Sequence, residues 1–225
     1  MRDVAFTLLR TTPRTCAERR GGPRKLTLMR VGLIHASEGK EFCLVKNISA
    51  DGLMARVYRS FQPGEEARVE LTTGHVLIGD VVWASGVDIG VRFRLSVDVG
   101  NVLSSRSGPD SEKRPRLPRL DLTCPAVVRY GGRSVPVQVG NISQRGAKIL
   151  GRGPIPESSG IVLSLPDLGC VHGTVRWSRG DEAGLFFNES LPLAVLACWV
   201  DGRRQLERRP CNDRSTPVGA GGLDR

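Results

Sequence analysis

Val45-Lys46-Asn47-Ile48-Ser49-Ala50-Asp51-Gly52 is met twice in this chain. Val139-Gly140-Asn141-Ile142-Ser143-Gln144-Arg145-Gly146 repeats its Val, Asn, Ile, Ser and Gly 94 residues on. The same displacement carries Gly79 onto Gly173, Val81 onto Val175, Trp83 onto Trp177, Gly90 onto Gly184 and Phe93 onto Phe187, with no gap. Chance does not usually hold a polar turn, a Trp and a Gly-x-x-Phe ending in one frame over such a span, so the chain is two copies of one domain. Its length agrees, since 225 residues make one large domain or two ordinary ones. A domain that small buries a modest core, which makes closed sheets and helix caps important. Aromatics are only 5% of residues, so Val, Leu and Ile must supply most of that core.

Outward from the repeated stretch, the pattern is of short strands. Leu26 to Ile34 reads as a strand, Ser37-Glu38-Gly39-Lys40 as a turn, and Glu41 to Ile48 as a second strand ending in the Asn-Ile-Ser turn. Gly52 to Val57 is a third, and Phe61-Gln62-Pro63-Gly64-Glu65 breaks the pattern. Ala67, Val69 and Leu71 alternate with polar neighbours, the period of a half-buried strand. Val76 to Ala84 and Ile89 to Arg94 complete a six-strand set. The second copy gives strands near 120–130, 133–142, 146–151, 160–166, 170–178 and 183–188. Short antiparallel strands separated by turns predict a barrel, which leaves few open edges. After Phe187, Leu191 to Val200 predicts a short helix with Leu193, Leu196, Ala197 and Val200 on one face, lidding the second barrel or packing between the two.

Formal charge is +10, and its location is the informative part. Residues 1–25 hold seven Arg or Lys against two acids, residues 104–119 five against two, and residues 203–225 six against three. The repeat bodies are close to neutral, so the basicity belongs to the flanks and linker. That, with few aromatics for base stacking, argues against a nucleic-acid groove. Cys16, Cys43, Cys124, Cys170, Cys198 and Cys211 form no C-x-x-C pair, and His35, His75 and His172 lack ligand spacing, so neither a disulfide framework nor a metal site is expected. Cys43 and Cys198, inside apolar runs, read as buried thiols. Trp83 and Trp177 read as core. The chain's start has too short an apolar run for a signal peptide, and Leu191–Val200 is too short to span a bilayer. A soluble, cytoplasmic setting is expected.

Asn-x-Ser-x-x-Gly at a strand end, with an Arg-x-x-x-Arg just upstream, resembles the PilZ domain, as do the Trp of strand five and the Gly-x-x-Phe of the closing strand. The resemblance covers most of residues 19–188 and is strengthened by the duplication. It implies an all-β chain: two six-stranded antiparallel PilZ-like β-barrels in tandem, a short C-terminal helix and disordered basic tails. The expected division is 1–18 flexible basic arm, 19–103 first domain, 104–115 linker, 116–205 second domain and 206–225 disordered tail. It also implies a receptor for the bacterial second messenger cyclic di-GMP and not an enzyme. No catalytic residues and no cofactor beyond that ligand are expected.

The residues fit that chemistry. Cyclic di-GMP offers two phosphates and two guanine edges, and an Arg fork matches phosphate or guanine O6/N7 with paired bonds. Arg20 and Arg24, with Arg19 beside them, supply the clamp on a segment that Gly21 and Gly22 allow to curl. Asn47 and Ser49 can read the guanine edge or fix its sugar-phosphate neighbour, and Gly52 permits close backbone approach. A competing Arg10-x-x-x-Arg14 lies farther from the first strand. The second copy keeps Asn141, Ser143 and Gly146, but its upstream arginines, Arg114, Arg116 and Arg119, are never spaced by four and are interrupted by prolines. Arg116, Arg119, Asn141, Ser143 and Gly146 are therefore a second, weaker candidate site. For each Asn-x-Ser-x-x-Gly the competing reading is a side-chain-to-backbone turn. Two other functions compete: a ligand-blind adaptor acting through a protein partner, and nucleic-acid binding by the basic arms. Ser49 has no elbow motif and no His partner that would suggest hydrolysis.

Overall fold

The structure, a computed structural model, describes residues 26–36, 39–104 and 117–208. In the first copy the strands are β1 (Leu26–Ala36), β2 (Gly39–Ser49), β3 (Gly52–Arg56), β4 (Glu66–Leu71), β5 (Val76–Ser85) and β6 (Asp88–Phe93), followed by a helix α1 (Val99–Leu103). The second copy has β7 (Leu120–Tyr130), β8 (Arg133–Ser143), β9 (Gly146–Leu150), β10 (Gly160–Leu165), β11 (Gly169–Arg179), β12 (Glu182–Phe187) and α2 (Leu193–Arg208). Each set closes into a barrel, β1-β2-β3-β6-β5-β4 and β10-β11-β12-β9-β8-β7. Every pairing is antiparallel, and β1–β4 and β7–β10 seal the two cylinders.

Alternation decides which way each strand faces. On β4, Ala67, Val69 and Leu71 point inward and are buried, while Glu66 and Arg68 face water. On β10, Ile161, Leu163 and Leu165 do the same. The copies share even their irregularities. Bulges fall between Val45 and Asn47 and between Val139 and Asn141, and again at Val81/Trp83 and Val175/Trp177. An inserted residue re-aims the side chains beyond it, so these bulges set which way Asn47, Asn141 and the two Trp point.

The expected helix over Leu191–Val200 is present but runs longer, to Arg208. A helix that the sequence reading passed over, α1, stands in the corresponding place of the first copy. Asp98 caps α1, its carboxylate accepting from the Gly100 and Asn101 amides at 2.9 and 3.3 Å. Val102 of α1 and Leu196 of α2 are 94 residues apart and each is buried over its own barrel. The approach is matched as well: Val97 N–H donates to Ala50 C=O and Leu191 N–H to Gln144 C=O, both 2.8 Å.

Only α2 does a second job. Leu33 and Phe42, register partners on β1 and β2, turn away from their own barrel and pack into the cluster that holds Leu120, Ala197 and Val200. Arg204 of α2 donates to the Lys40 carbonyl, and Trp199 Nε1–H donates to Pro166 C=O at 2.8 Å. Beside Phe42, Glu41 and Arg59 form a largely buried ion pair at 3.3 Å, with the Arg59 guanidinium 4.9 Å over the Phe61 ring. Helix α2 is thus both the lid of the second barrel and the wedge between the two.

Candidate functional site

The register of five neighbouring strands lays out the first copy's corner. Thr27 of β1 pairs with Asn47 of β2, Asn47 with Met54 of β3, Met54 with Gly90 of β6, and Gly90 with Trp83 of β5. These residues make one row across the outside of the barrel. The Trp83 indole lies over Gly90, so close that a Cβ there would sit 2.0 Å from Trp83 Nε1. Trp83 is therefore not core, as the sequence suggested, but an outer-face residue 41% exposed. Trp177 repeats the arrangement, half-buried, over Gly184.

Within the row, Asn47 is partly buried and its amide nitrogen reaches only the Met54 sulfur, at 3.9 Å, among the described residues. A thioether is a weak acceptor, so the amide keeps most of its hydrogen-bonding capacity for something else. Ser49 is committed to its turn, where its hydroxyl donates to the Gly52 carbonyl at 3.1 Å. An oxygen that donates once still has lone pairs with which to accept. Gly52 is required by the crowding of β6: a Cβ would lie 2.4 Å from the Val91 carbonyl oxygen. Asp88 flanks the row, held by Lys46 Nζ at 2.8 Å and Arg56 Nε at 3.4 Å. The Lys46 hydrogen bond is the chief reason its carboxyl lies below the ordinary value of 3.8, with Arg56 adding to it and partial burial opposing.

The second copy's row is Asp121, Asn141, Lys148, Gly184 and Trp177. Ser143 bonds the Gly146 carbonyl at 3.1 Å, just as Ser49 bonds Gly52, and Gly146 is equally hemmed in by the Leu185 carbonyl. The rest differs. Arg119 Nη1 donates to Asn141 Oδ1 at 3.2 Å, Lys148 is paired with Glu182 at 2.9 Å, and Asp121 stands where the first copy has Thr27. The Asn141 side chain is occupied by the chain's own arginine.

Of the residues singled out in the sequence, the structure brings Asn47, Ser49 and Gly52 to one strand end, and Arg119, Asn141, Ser143 and Gly146 to the other. Arg19, Arg20, Arg24 and Arg116 lie outside the described residues. Sequence reasoning missed Thr27 and Met54 as the register partners of Asn47, and Trp83 as a member of the same outer row, because bulges shift the register by amounts that no periodicity reveals. The recurrence of Trp83 and Gly90 as Trp177 and Gly184 was the available signal. Among the described residues no group of three or more His, Cys, Asp or Glu is placed to hold a metal ion, and no helix is long and apolar enough to cross a membrane.

Two small closed barrels, each with an Asn-x-Ser-x-x-Gly turn at the β2–β3 type corner, define a tandem-domain architecture. The PilZ domain pattern matches residues 18–104 and 112–201. The chain belongs to the PilZ family. Solved structures similar to it include the Borreliella burgdorferi PlzA protein in complex with c-di-GMP, at 13% identity and a TM-score of 0.35 over 81% of this chain and 94% of that one. The Bacillus subtilis inhibitor of motility MotI/DgrA gives 15% and 0.29 over 82% and 100%. YcgR from Escherichia coli in complex with c-di-GMP gives 11% and 0.30 over 80% and 86%. The comparison with curated proteins finds no match.

Proposed function

We infer that this protein is a cyclic di-GMP receptor and not an enzyme, and that its first barrel holds the ligand between the Arg20/Arg24 arm and the Asn47 corner. The observation that carries this is the Asn47 amide, fixed on the outer row with only a thioether against it. The β1–β2 register adds to it, since Leu26 pairs with Ile48 and Thr27 with Asn47. Arg24 is two residues before Leu26 and so at most about 7 Å along the chain from the corner. Guanidinium forks reaching phosphate or guanine N7/O6 supply charge-assisted bonds of roughly 1.5–3 kcal/mol each. Asn47 offers a donor and an acceptor to a guanine edge, and the Ser49 hydroxyl oxygen an acceptor. Membership of the PilZ family points to the same ligand, as the resemblance implied.

The second barrel reads as a structural or partner-binding copy. Its Asn141 is already bonded to Arg119, and Asp121 sets a negative charge beside it. Facing a phosphate about 5 Å away in water, that carboxylate costs roughly 0.8 kcal/mol before screening. One observation favours a ligand-blind adaptor for the whole chain: Ser49 and Gly52 have turn-building roles that would hold them in place without any ligand.

Calorimetric titration separates the two. The receptor reading expects saturable binding of cyclic di-GMP that is lost in Arg20→Ala/Arg24→Ala while the variant unfolds at the parent's temperature. Undiminished binding in that variant rules out the clamp. No binding by the parent, with a protein partner retained in pull-down, establishes the adaptor.

A further inference from the structure

The two copies differ in the character of one part of their outer surface. At the β5–β6 hairpin the first barrel exposes Val82, Trp83 and Val87, at 42%, 41% and 50%, beside the half-buried Met54 of the same row. At the corresponding places the second barrel carries Arg176, Trp177, Asp181 and Lys148. There the surface closes on itself: Arg176 and Arg145 lie 4.7 and 5.4 Å over the Phe186 ring, and Lys148 pairs with Glu182. The first barrel keeps an ion pair at the matching acid, Asp88 with Lys46 and Arg56, but Val82 and Asp51 stand where Arg176 and Arg145 do, so no arginine from those places covers its hairpin. Solvated apolar side chains grouped on one copy, and replaced by charged ones on the other, mark a contact surface.

The segments that precede the barrels differ in the same sense. Before the second barrel, residues 104–116 read Ser-Ser-Arg-Ser-Gly-Pro-Asp-Ser-Glu-Lys-Arg-Pro-Arg, with no aliphatic or aromatic side chain. Before the first barrel stands Val4-Ala5-Phe6-Thr7-Leu8-Leu9. The copy with the apolar surface is the copy with the apolar leader.

We propose that residues Val4–Leu9 dock on the Val82/Trp83/Val87/Met54 surface of the first barrel, within the same chain. The reach is right. From Thr27 to Trp83 the row crosses four strand spacings, about 19 Å around the barrel. A flexible chain of 17 residues, the separation of Leu26 from Leu9 in the sequence, spans roughly 21–25 Å. A tether matched to its span holds the leader near the surface at an effective concentration on the order of millimolar. Phe6, Leu8 and Leu9 supply apolar side chains to meet Trp83 and the two valines. The contact stands whether or not the neighbouring Asn47 corner binds a nucleotide.

Hydroxyl-radical footprinting of side chains tests it, comparing the full chain with a chain lacking residues 2–12 and with Phe6→Glu/Leu8→Glu, each at two protein concentrations tenfold apart. Oxidation of Trp83 and Met54 is expected to rise by about threefold or more in both variants, as an intramolecular contact of that effective concentration is lost. Trp177, on the matching hairpin of the second barrel, is expected to oxidise at one rate throughout and reports that the fold is intact. Equal Trp83 rates in all three proteins overturn the proposal. So does protection that survives in the variants, which assigns the surface to another partner, or protection that grows with concentration, which assigns it to a second copy of the chain.

Discussion

Replacing Gly90 by Ala probes the packing that builds the outer row. Gly90 lies in a strand without positive φ, so an Ala backbone fits, and the obstacle is the indole alone. The new Cβ would stand 2.0 Å from Trp83 Nε1 and 2.3 Å from Cε2, against a normal separation of about 3.5–4.0 Å. Trp83 must therefore leave its place. Overpacking of this kind costs about 1–3 kcal/mol, and the stiffer unfolded chain returns about 0.4–1 kcal/mol, for a net loss of roughly 0.5–2 kcal/mol. In a Trp83→Ala background the obstacle is gone, and Gly90→Ala becomes neutral or stabilising. The double-mutant cycle, read by urea unfolding, should give a coupling equal to the overpacking cost, about 1–3 kcal/mol. Gly184 and Trp177, at 2.1 Å, should repeat it. If Gly90→Ala costs the same in both backgrounds, or nothing in the parent, the indole does not rest on Gly90 and the row is misdrawn.

Three further perturbations address the rest of the molecule. Phe42→Ala removes the aromatic wedge between the barrels and should cost about 3–5 kcal/mol, with the unfolding curve separating into two transitions; a single unshifted transition would show the barrels are not coupled there. The Cys43 thiol, pushed up to about 12 by burial, should resist alkylation in the native protein, whereas the exposed Cys170 and Cys198 should react, as mass spectrometry of labelled peptides will show. Asp88, with its folded pKa held below the ordinary 3.8 by Lys46, stabilises the fold at pH above the ordinary carboxylate range and loses that contribution as pH falls through the depressed value. Asp88→Asn should therefore flatten the acid limb of the stability profile and leave its slope near neutral pH unchanged; an unaltered acid limb contradicts the pairing.

Much of this molecule is written locally. Strands such as β4 and β10 were legible because a period of two with inward Val, Leu and Ala leaves a face no other structure would bury. The doubling was legible because Asn47 and Asn141, Trp83 and Trp177 keep one frame. Side-chain direction past a bulge was not: Trp83 sits in an apolar run, yet the bulge after Val81 turns it outward over Gly90. Cys198 was misread for a similar reason. It lies in an apolar run, but in a helix its direction falls between those of the buried Ala197 and Trp199, and it faces water. Helix α1 escaped because five residues carry too little periodicity, although the Asp98 cap and the frame shared with α2 marked it. At the site, Asn47, Ser49 and Gly52 were read from their motif, whereas the Arg119–Asn141 bond depends on register, which no spacing rule supplies.

Paired titrations of cyclic di-GMP into Asn47→Ala and Asn141→Ala test the central assignment most directly. The first substitution is expected to weaken binding by at least about tenfold, the loss of one hydrogen bond to a charged or strongly polar partner, while the second leaves affinity and stoichiometry unchanged. Loss of binding in Asn141→Ala with full binding in Asn47→Ala would contradict it and move the ligand to the other barrel.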